Sequence, residues 1–253
     1  MLLAVDIGNT NIAFGFFSGK RLVRKFNIPT PGFNPEKFKR LLGPSRIDDV
    51  ILCSVVPQAT CKVKKGLGKA LSRHTYIIGK DIKVPVKNLY RYPKQVGADR
   101  LVNAYAAIRL YGAPLVAIDF GTAITFDLVS RRKEYLGGMI LPGLAISLDS
   151  LAQRTALLPR IELKAPAEFI GRDTKSSILS GMVYGFAALT DGLIEKMKKR
   201  LPGARVIATG GNIQIVAGFC RNIDKVDKSL TLKGLNFIYQ QKKGPGPFLK
   251  KNS

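Results

Sequence analysis

Four aspartates stand inside apolar runs or against glycine turns in a chain poor in acids: Asp6, Asp99, Asp119 and Asp127. The first opens the run Asp6-Ile7-Gly8-Asn9-Thr10-Asn11. A tight turn of this composition suits phosphate. Gly8 admits backbone conformations that other residues resist and lets an anion approach. Successive amides line a small anion-binding concavity, and Asn9, Thr10 and Asn11 add side-chain donors. Asp6 repels phosphate itself, but it can hold a cation or that cation's water shell. The same residues also suit a plain hairpin turn, so one copy leaves both readings open. A second copy favours phosphate: the run Leu115 to Thr122 repeats the run Leu2 to Asn9, with Asp119 lying 113 residues after Asp6. There Thr122 is the candidate hydroxyl donor and Asp119 the candidate cation ligand. Asp127, in Ile124-Thr125-Phe126-Asp127, reads as the end of a strand.

Asp99 stands in Gly97-Ala98-Asp99-Arg100, just before an apolar run of helical spacing. A carboxylate with space cleared beside it by Gly97 and Ala98 can take a proton from an alcohol. Arg100 offers a fork of donors to a carboxylate or phosphoryl oxygen. An Asp at this place is equally a preferred helix N-cap. Thr209-Gly210-Gly211-Asn212 is a turn after a strand, and its paired glycines are a candidate platform for a flat ring. Histidine chemistry is confined to His74, the single histidine, which lies in a polar stretch and reads as a surface residue. Three cysteines without a CxxC pair exclude a disulfide framework and a Cys/His zinc site. They fit a reducing, cytoplasmic compartment. Chemistry therefore falls to carboxylates, amides, hydroxyls, basic side chains and bound ions.

The elements that must position these groups alternate strand and helix. Strands are expected at Leu2–Val5, Ile12–Phe17, Arg21–Ile28, Val50–Val56 and Thr75–Ile78, with helices over Pro35–Leu42 and Pro57–Ser72. A helix from about Leu101 to Tyr111 follows the irregular stretch that carries Tyr90. The pattern then restarts, with strands at Leu115–Ile118, Ala123–Val129, Glu134–Leu136, Met139–Leu141 and Arg205–Ala208. Helices are expected over Leu144–Arg154 and Ser176–Arg200. This is an α/β pattern, and the repeat predicts two similar domains, residues 1–112 and 113–240, facing each other. A basic tail, residues 241–253, is expected to be disordered.

The 253 residues are 46% apolar and 23% charged, the balance of a globular chain. No apolar run approaches the roughly 18 residues that span a bilayer, and the N-terminus lacks a secretory pattern. The formal net charge is +24, which fits a solvated basic surface or an anionic partner. A nucleic-acid partner is not expected, because no helix-turn-helix or aromatic-basic surface is legible. A membrane partner is not expected either.

Two phosphate turns, one per repeat, with a Gly-Gly turn resemble the acetate and sugar kinase/Hsp70/actin superfamily. Within it, Asp6 to Asn11, Gly97 to Arg100 and Asp119 to Ala123 resemble type III pantothenate kinase. So do Gly137-Gly138-x-Ile140-x-Pro142-Gly143, Asp173-Thr174-x-x-Ser177-Ile178-x-x-Gly181 and Leu230-Thr231-Leu232-x-Gly234-Leu235, in order along the chain. The resemblance implies two duplicated ribonuclease H-like domains of the actin-like ATPase fold. It implies ATP-dependent phosphorylation of pantothenate, the first step of coenzyme A synthesis. By matching positions, Asp99 is the proton acceptor, and Tyr90, Gly97, Ala98, Asp99, Arg100 and Thr174 touch pantothenate. Asp6, Ile7, Gly8, Asn9, Thr10, Asn11, Ile12, Ala13 and Thr122 bind ATP. Asp119 holds a monovalent cation, K⁺ or NH₄⁺, with Mg²⁺ carried on the nucleotide. The resemblance also implies a homodimer to which the long helix 176–200 contributes. The +24 charge and the basic tail depart from the pattern without touching its motifs.

Overall fold

Alternation along β1 (Leu2–Ile7) sorts its side chains between two cores, and that sorting decides which way Asp6 faces. The computed structural model describes residues 1–43, 46–71 and 73–244. Leu3, Val5 and Ile7 enter one cluster with Phe14, Phe16, Phe38, Val63 and Leu67. Leu2 and Ala4 enter the other with Cys53, Val102, Tyr105, Leu232 and Leu235. Asp6 shares the parity of Leu2 and Ala4.

The first sheet has the order β3-β2-β1-β4-β5, from β2 (Asn11–Ser18), β3 (Arg21–Pro29), β4 (Asp49–Ser54) and β5 (Thr75–Ile77). β1–β2–β3 is an antiparallel meander, and β4 and β5 add in parallel. Helices α1 (Pro35–Leu42) and α2 (Pro57–Leu71) belong to the first cluster's side. The other side takes α3 (Ala98–Tyr111) and α7 (Leu230–Lys243).

The second sheet repeats these five strands and adds a sixth, β6 (Lys87–Asn88), at its edge. It runs β11-β10-β7-β8-β9-β6, with β7 (Leu115–Phe120), β8 (Ala123–Val129), β9 (Glu134–Pro142), β10 (Arg205–Thr209) and β11 (Lys225–Val226). β7–β8–β9 is again an antiparallel meander, and β10 and β11 again add in parallel. Val116, Ile118 and Phe120 hold the positions of Leu3, Val5 and Ile7. They pack with α4 (Leu144–Arg154), α5 (Thr174–Arg200) and α6 (Ile213–Val216). The repeat read in the sequence is therefore a repeat of topology. It supplies the duplicated α/β architecture.

The units are not two contiguous halves of the chain. One holds Met1–Val86, Tyr92–Ala106 and the described residues from Ser229 onward; the other holds Lys87–Arg91 and Ala107–Lys228. Expectation and structure part here for two reasons. The apolar face of α7, with Leu232, Leu235, Ile238 and Tyr239 buried, completes the first unit's core. A two-residue strand, β6 (Lys87–Asn88), pairs in parallel with β9 of the second unit. The expected tail begins inside α7, which runs to Lys243; residues 245–253 lie outside the described ones. Glu134–Leu136 and Met139–Leu141 join into the single strand β9, which takes a register shift opposite Leu128 and Val129.

α5 overturns one further expectation. Its 27 residues contain an 18-residue window of mean hydropathy 1.4, long and apolar enough to cross a membrane by length and composition. Met182, Ala187, Ile194 and Met197 from this helix are core residues of the second unit. The helix begins at a capping box: Ser176 N donates to Asp173 Oδ1 at 2.9 Å, and Asp173 N donates to Ser176 Oγ at 3.1 Å.

Candidate active site

In the first unit, the turn after β1 is closed by Gly8 N donating to Asn11 O at 3.0 Å. It is braced by β3, whose end places Thr30 Oγ1 2.7 Å from Gly8 O and Thr30 N 2.9 Å from Thr10 O. Asn9, Thr10 and Asn11 project into solvent, as a phosphate-binding turn requires. Gly8 does not have a positive φ, so the expected backbone licence is not its role. A Cβ there would instead stand 3.2 Å from Asn11 O, within the turn itself. Ile7 and Ile12 are core residues, so only their backbone is available to a nucleotide. Ala13 is half-buried on the opposite face.

Asp99 is the second residue of α3, not the residue preceding it, so the N-cap reading does not hold. Its carboxylate stays close to its own turn, with Arg100 N donating to Oδ1 at 2.8 Å. A Cβ on Gly97 would lie 2.5 Å from Asp99 Oδ1; glycine is what gives this carboxylate its position. Burial pushes the Asp99 carboxyl above the ordinary aspartate range, partly opposed by the Arg100 amide and guanidinium. Arg100 itself is buried at 7% exposure. Cys53 was not singled out in the sequence. It pairs with Asp6 across β1 and β4 and is fully buried. Burial first, then the charges of Asp6 and Asp99, push its thiol well up. Asp6, Cys53 and Asp99 are thus neighbours on one face of the first sheet, with a neutral thiol near two carboxylates.

In the second unit, two residues, Gly121 and Thr122, join β7 to β8, against three in the first turn. Gly143 N donates to Thr122 O at 3.1 Å, and Asn212 N donates to Phe120 O at 3.1 Å. This turn is therefore tied to two neighbouring loops, those after β9 and β10. Asp119 is the penultimate residue of β7, opposite Thr125 and Thr209. Gly210 has φ +103°, and a Cβ there would stand 2.5 Å from Asp119 Oδ1 and from the Phe120 backbone. Gly210 is needed for this close packing, whereas Gly211 faces open space. The Gly-Gly turn thus divides its tasks between framing Asp119 and leaving room. An oxygen donor in a cradle that a methyl group would fill suits a hard cation.

Tyr90 belongs to the second unit as well. Its amide donates to Asn88 Oδ1 at 2.9 Å, and its ring lies over Gly137 and beside Tyr135. Thr174 is exposed as the first residue of α5, directly after its capping Asp173. Asp127 lies within β8, not at its end. It is 1% exposed and accepts from Tyr135 Oη at 2.7 Å and Thr125 Oγ1 at 3.1 Å.

Repeated meander-plus-parallel sheets, each with an Asp-x-Gly turn after its first strand, are the duplicated α/β architecture that the sequence resemblance implies. The family description for type III pantothenate kinase matches residues 2–196. A type III pantothenate kinase of Geotalea uraniireducens is 40% identical over 252 residues, 95% of this chain and 98% of its own. One from Brevibacillus brevis is also 40% identical, over 95% of this chain and 99% of its own. The chain belongs to the type III pantothenate kinase family, and so it is a kinase that phosphorylates pantothenate in coenzyme A biosynthesis. Among solved structures, a Campylobacter jejuni protein assigned to the Baf family superposes with a TM-score of 0.62 at 20% identity, over 96% of this chain and all of its own. At that identity the likeness concerns the fold alone.

Proposed function

We propose that this chain makes 4'-phosphopantothenate by direct transfer of the γ-phosphoryl group of ATP, with Asp99 as the base. The primary hydroxyl oxygen of pantothenate attacks the γ-phosphorus. The bond from that phosphorus to the bridging oxygen breaks, ADP leaves, and the hydroxyl proton passes to an Asp99 carboxylate oxygen. The observation that carries this reading is the Asp99 carboxylate, half-buried at the start of α3 in space cleared by Gly97. A base whose basicity is raised by burial is better matched to an alcohol proton than a solvated aspartate.

Gly97, Ala98, Arg100, Tyr90 and Thr174 contact pantothenate in this reading, with the Arg100 guanidinium directed at its carboxylate or at a phosphoryl oxygen. Asp6, Gly8, Asn9, Thr10, Asn11 and the backbone of Ile7, Ile12 and Ala13 hold ATP, together with Thr122. Amides and hydroxyls of these residues would orient the phosphates and offset their charge. Asp119 would hold K⁺ or NH₄⁺, which supplies positive charge beside the phosphates, and Mg²⁺ would arrive with the nucleotide. A homodimer is part of the same reading.

The test is ADP release by the purified chain with pantothenate, set against a panel of sugars and acetate, in K⁺, NH₄⁺ and Na⁺ buffers. Turnover with pantothenate alone, and only with K⁺ or NH₄⁺, is the expected result. Turnover with a sugar or with acetate would overturn the substrate. Equal rates in Na⁺ would remove the ion from Asp119.

A further inference from the structure

Asp127 and Tyr135 are a buried polar pair that the reaction above does not use. β8 sets Asp127 on the same face as Thr125, which stands opposite Asp119. The carboxylate accepts two hydroxyl donors, Tyr135 Oη at 2.7 Å and Thr125 Oγ1 at 3.1 Å, with Asp127 at 1% exposure and Tyr135 at 0%. Burying a carboxylate for packing alone is unfavourable, and a tyrosine ring held by its hydroxyl is fixed in rotation and depth. Tyr135 is in turn built against the segment that carries Tyr90. Asn88 of β6 pairs with Tyr135, Leu89 N donates to Tyr135 O at 2.9 Å, and the Tyr90 and Tyr135 ring centroids are 6.4 Å apart. The other support under Tyr90 is Gly137, at φ +126°, where a Cβ would stand 3.4 Å from the ring.

We infer that Asp127 and Tyr135 are positioning residues for pantothenate recognition: Asp127 fixes Tyr135, and Tyr135 fixes Tyr90, which touches the substrate. The inference rests on the assignment of Tyr90 to pantothenate made above. Neither Asp127 nor Tyr135 touches a reactant; each acts through the placement of the Tyr90 ring. Loss of the Tyr135 hydroxyl frees its ring and loosens the platform, which weakens a ground-state contact and leaves the phosphoryl step in place.

A double-mutant cycle on Tyr90→Ala and Tyr135→Phe tests this, with KM for pantothenate, KM for ATP and kcat measured for each variant. Tyr135→Phe is expected to raise KM for pantothenate by up to about tenfold, the scale of one lost hydrogen bond. KM for ATP and kcat should stay within about twofold. In the Tyr90→Ala background, Tyr135→Phe should change nothing further. If Tyr90→Ala leaves KM for pantothenate unchanged, the assignment of Tyr90 fails. If Tyr90→Ala raises it but Tyr135→Phe does not, or the two effects simply add, the relay through Tyr135 fails. Should Tyr135→Phe not fold, Asp127→Asn keeps the shape of the site and is read by the same cycle. Equal losses for ATP and pantothenate in that variant would mark a structural role only and overturn the inference.

Discussion

Gly97→Ala is a one-methyl test of how Asp99 is placed. The added Cβ would stand 2.5 Å from Asp99 Oδ1, about 0.9 Å inside the 3.4 Å at which ordinary contact begins. The obstacle is the end of a side chain rather than backbone, so the fold can accommodate it by turning the carboxylate away. That movement opposes the 2.8 Å hydrogen bond from Arg100 N, a loss of about 1 kcal/mol. The melting temperature should therefore fall by only a few degrees, roughly 2–4 °C for a chain of this size. Catalysis should suffer far more, because a misplacement of about 1 Å costs on the order of 100-fold in rate. Steady-state kinetics with pantothenate and ATP, paired with thermal melts, separates the two effects. A kcat within about twofold of the parent would refute the claim that Gly97 sets the position of the base. Unfolding of the variant at ambient temperature would refute the claim that the carboxylate can yield.

Further outcomes follow from the same geometry. Burial raises the Asp99 pKa, and the base must be ionised to act, so the acid limb of kcat/KM should lie above the ordinary aspartate range. A limb at the ordinary value, or its survival in an active Asp99→Asn enzyme, would contradict the assignment. The same shift has a stability consequence of fixed sign. A carboxyl that is harder to ionise when folded contributes stability below its unfolded pKa and loses it as pH rises through its folded pKa. Asp99→Asn should thus melt higher than the parent at neutral pH, with the advantage shrinking on acidification; a lower melting temperature at pH 7 would go against it. Gly210→Ala places a methyl group 2.5 Å from Asp119 Oδ1 and the Phe120 backbone at φ +103°. It should cost at least about 2 kcal/mol in urea unfolding, and a neutral result would mean that the turn is looser than described.

Most of the fold was readable because its two signals are local. Apolar runs ending at Asp-x-Gly predicted β1 and β7, and their repetition predicted the duplicated topology. What local reading missed came from long-range packing. α7 has a clear apolar face, yet nothing in its sequence states that it returns to β1 and β4. β6 is two residues long and exists only because β9 offers an edge. At the site, Asp6, Asp99 and Asp119 stood out because acids are scarce and each follows or precedes glycine. Cys53 did not, since a cysteine in an apolar strand looks like core; only its register opposite Asp6 reveals its neighbours. Asp127 reads as a strand end from sequence because a lone acid in an apolar run is usually punctuation. Its partner Tyr135 lies on the next strand, across a bulge that the sequence does not announce.

Mass-spectrometric quantification of 4'-phosphopantothenate formed from ATP and pantothenate, by the parent chain and by Asp99→Asn at matched ATP occupancy, addresses the central point most directly. The expected result is product from the parent and a loss of roughly 100- to 10,000-fold in the variant, with ATP affinity retained. Product formed by Asp99→Asn at the parental rate would show that another group removes the hydroxyl proton.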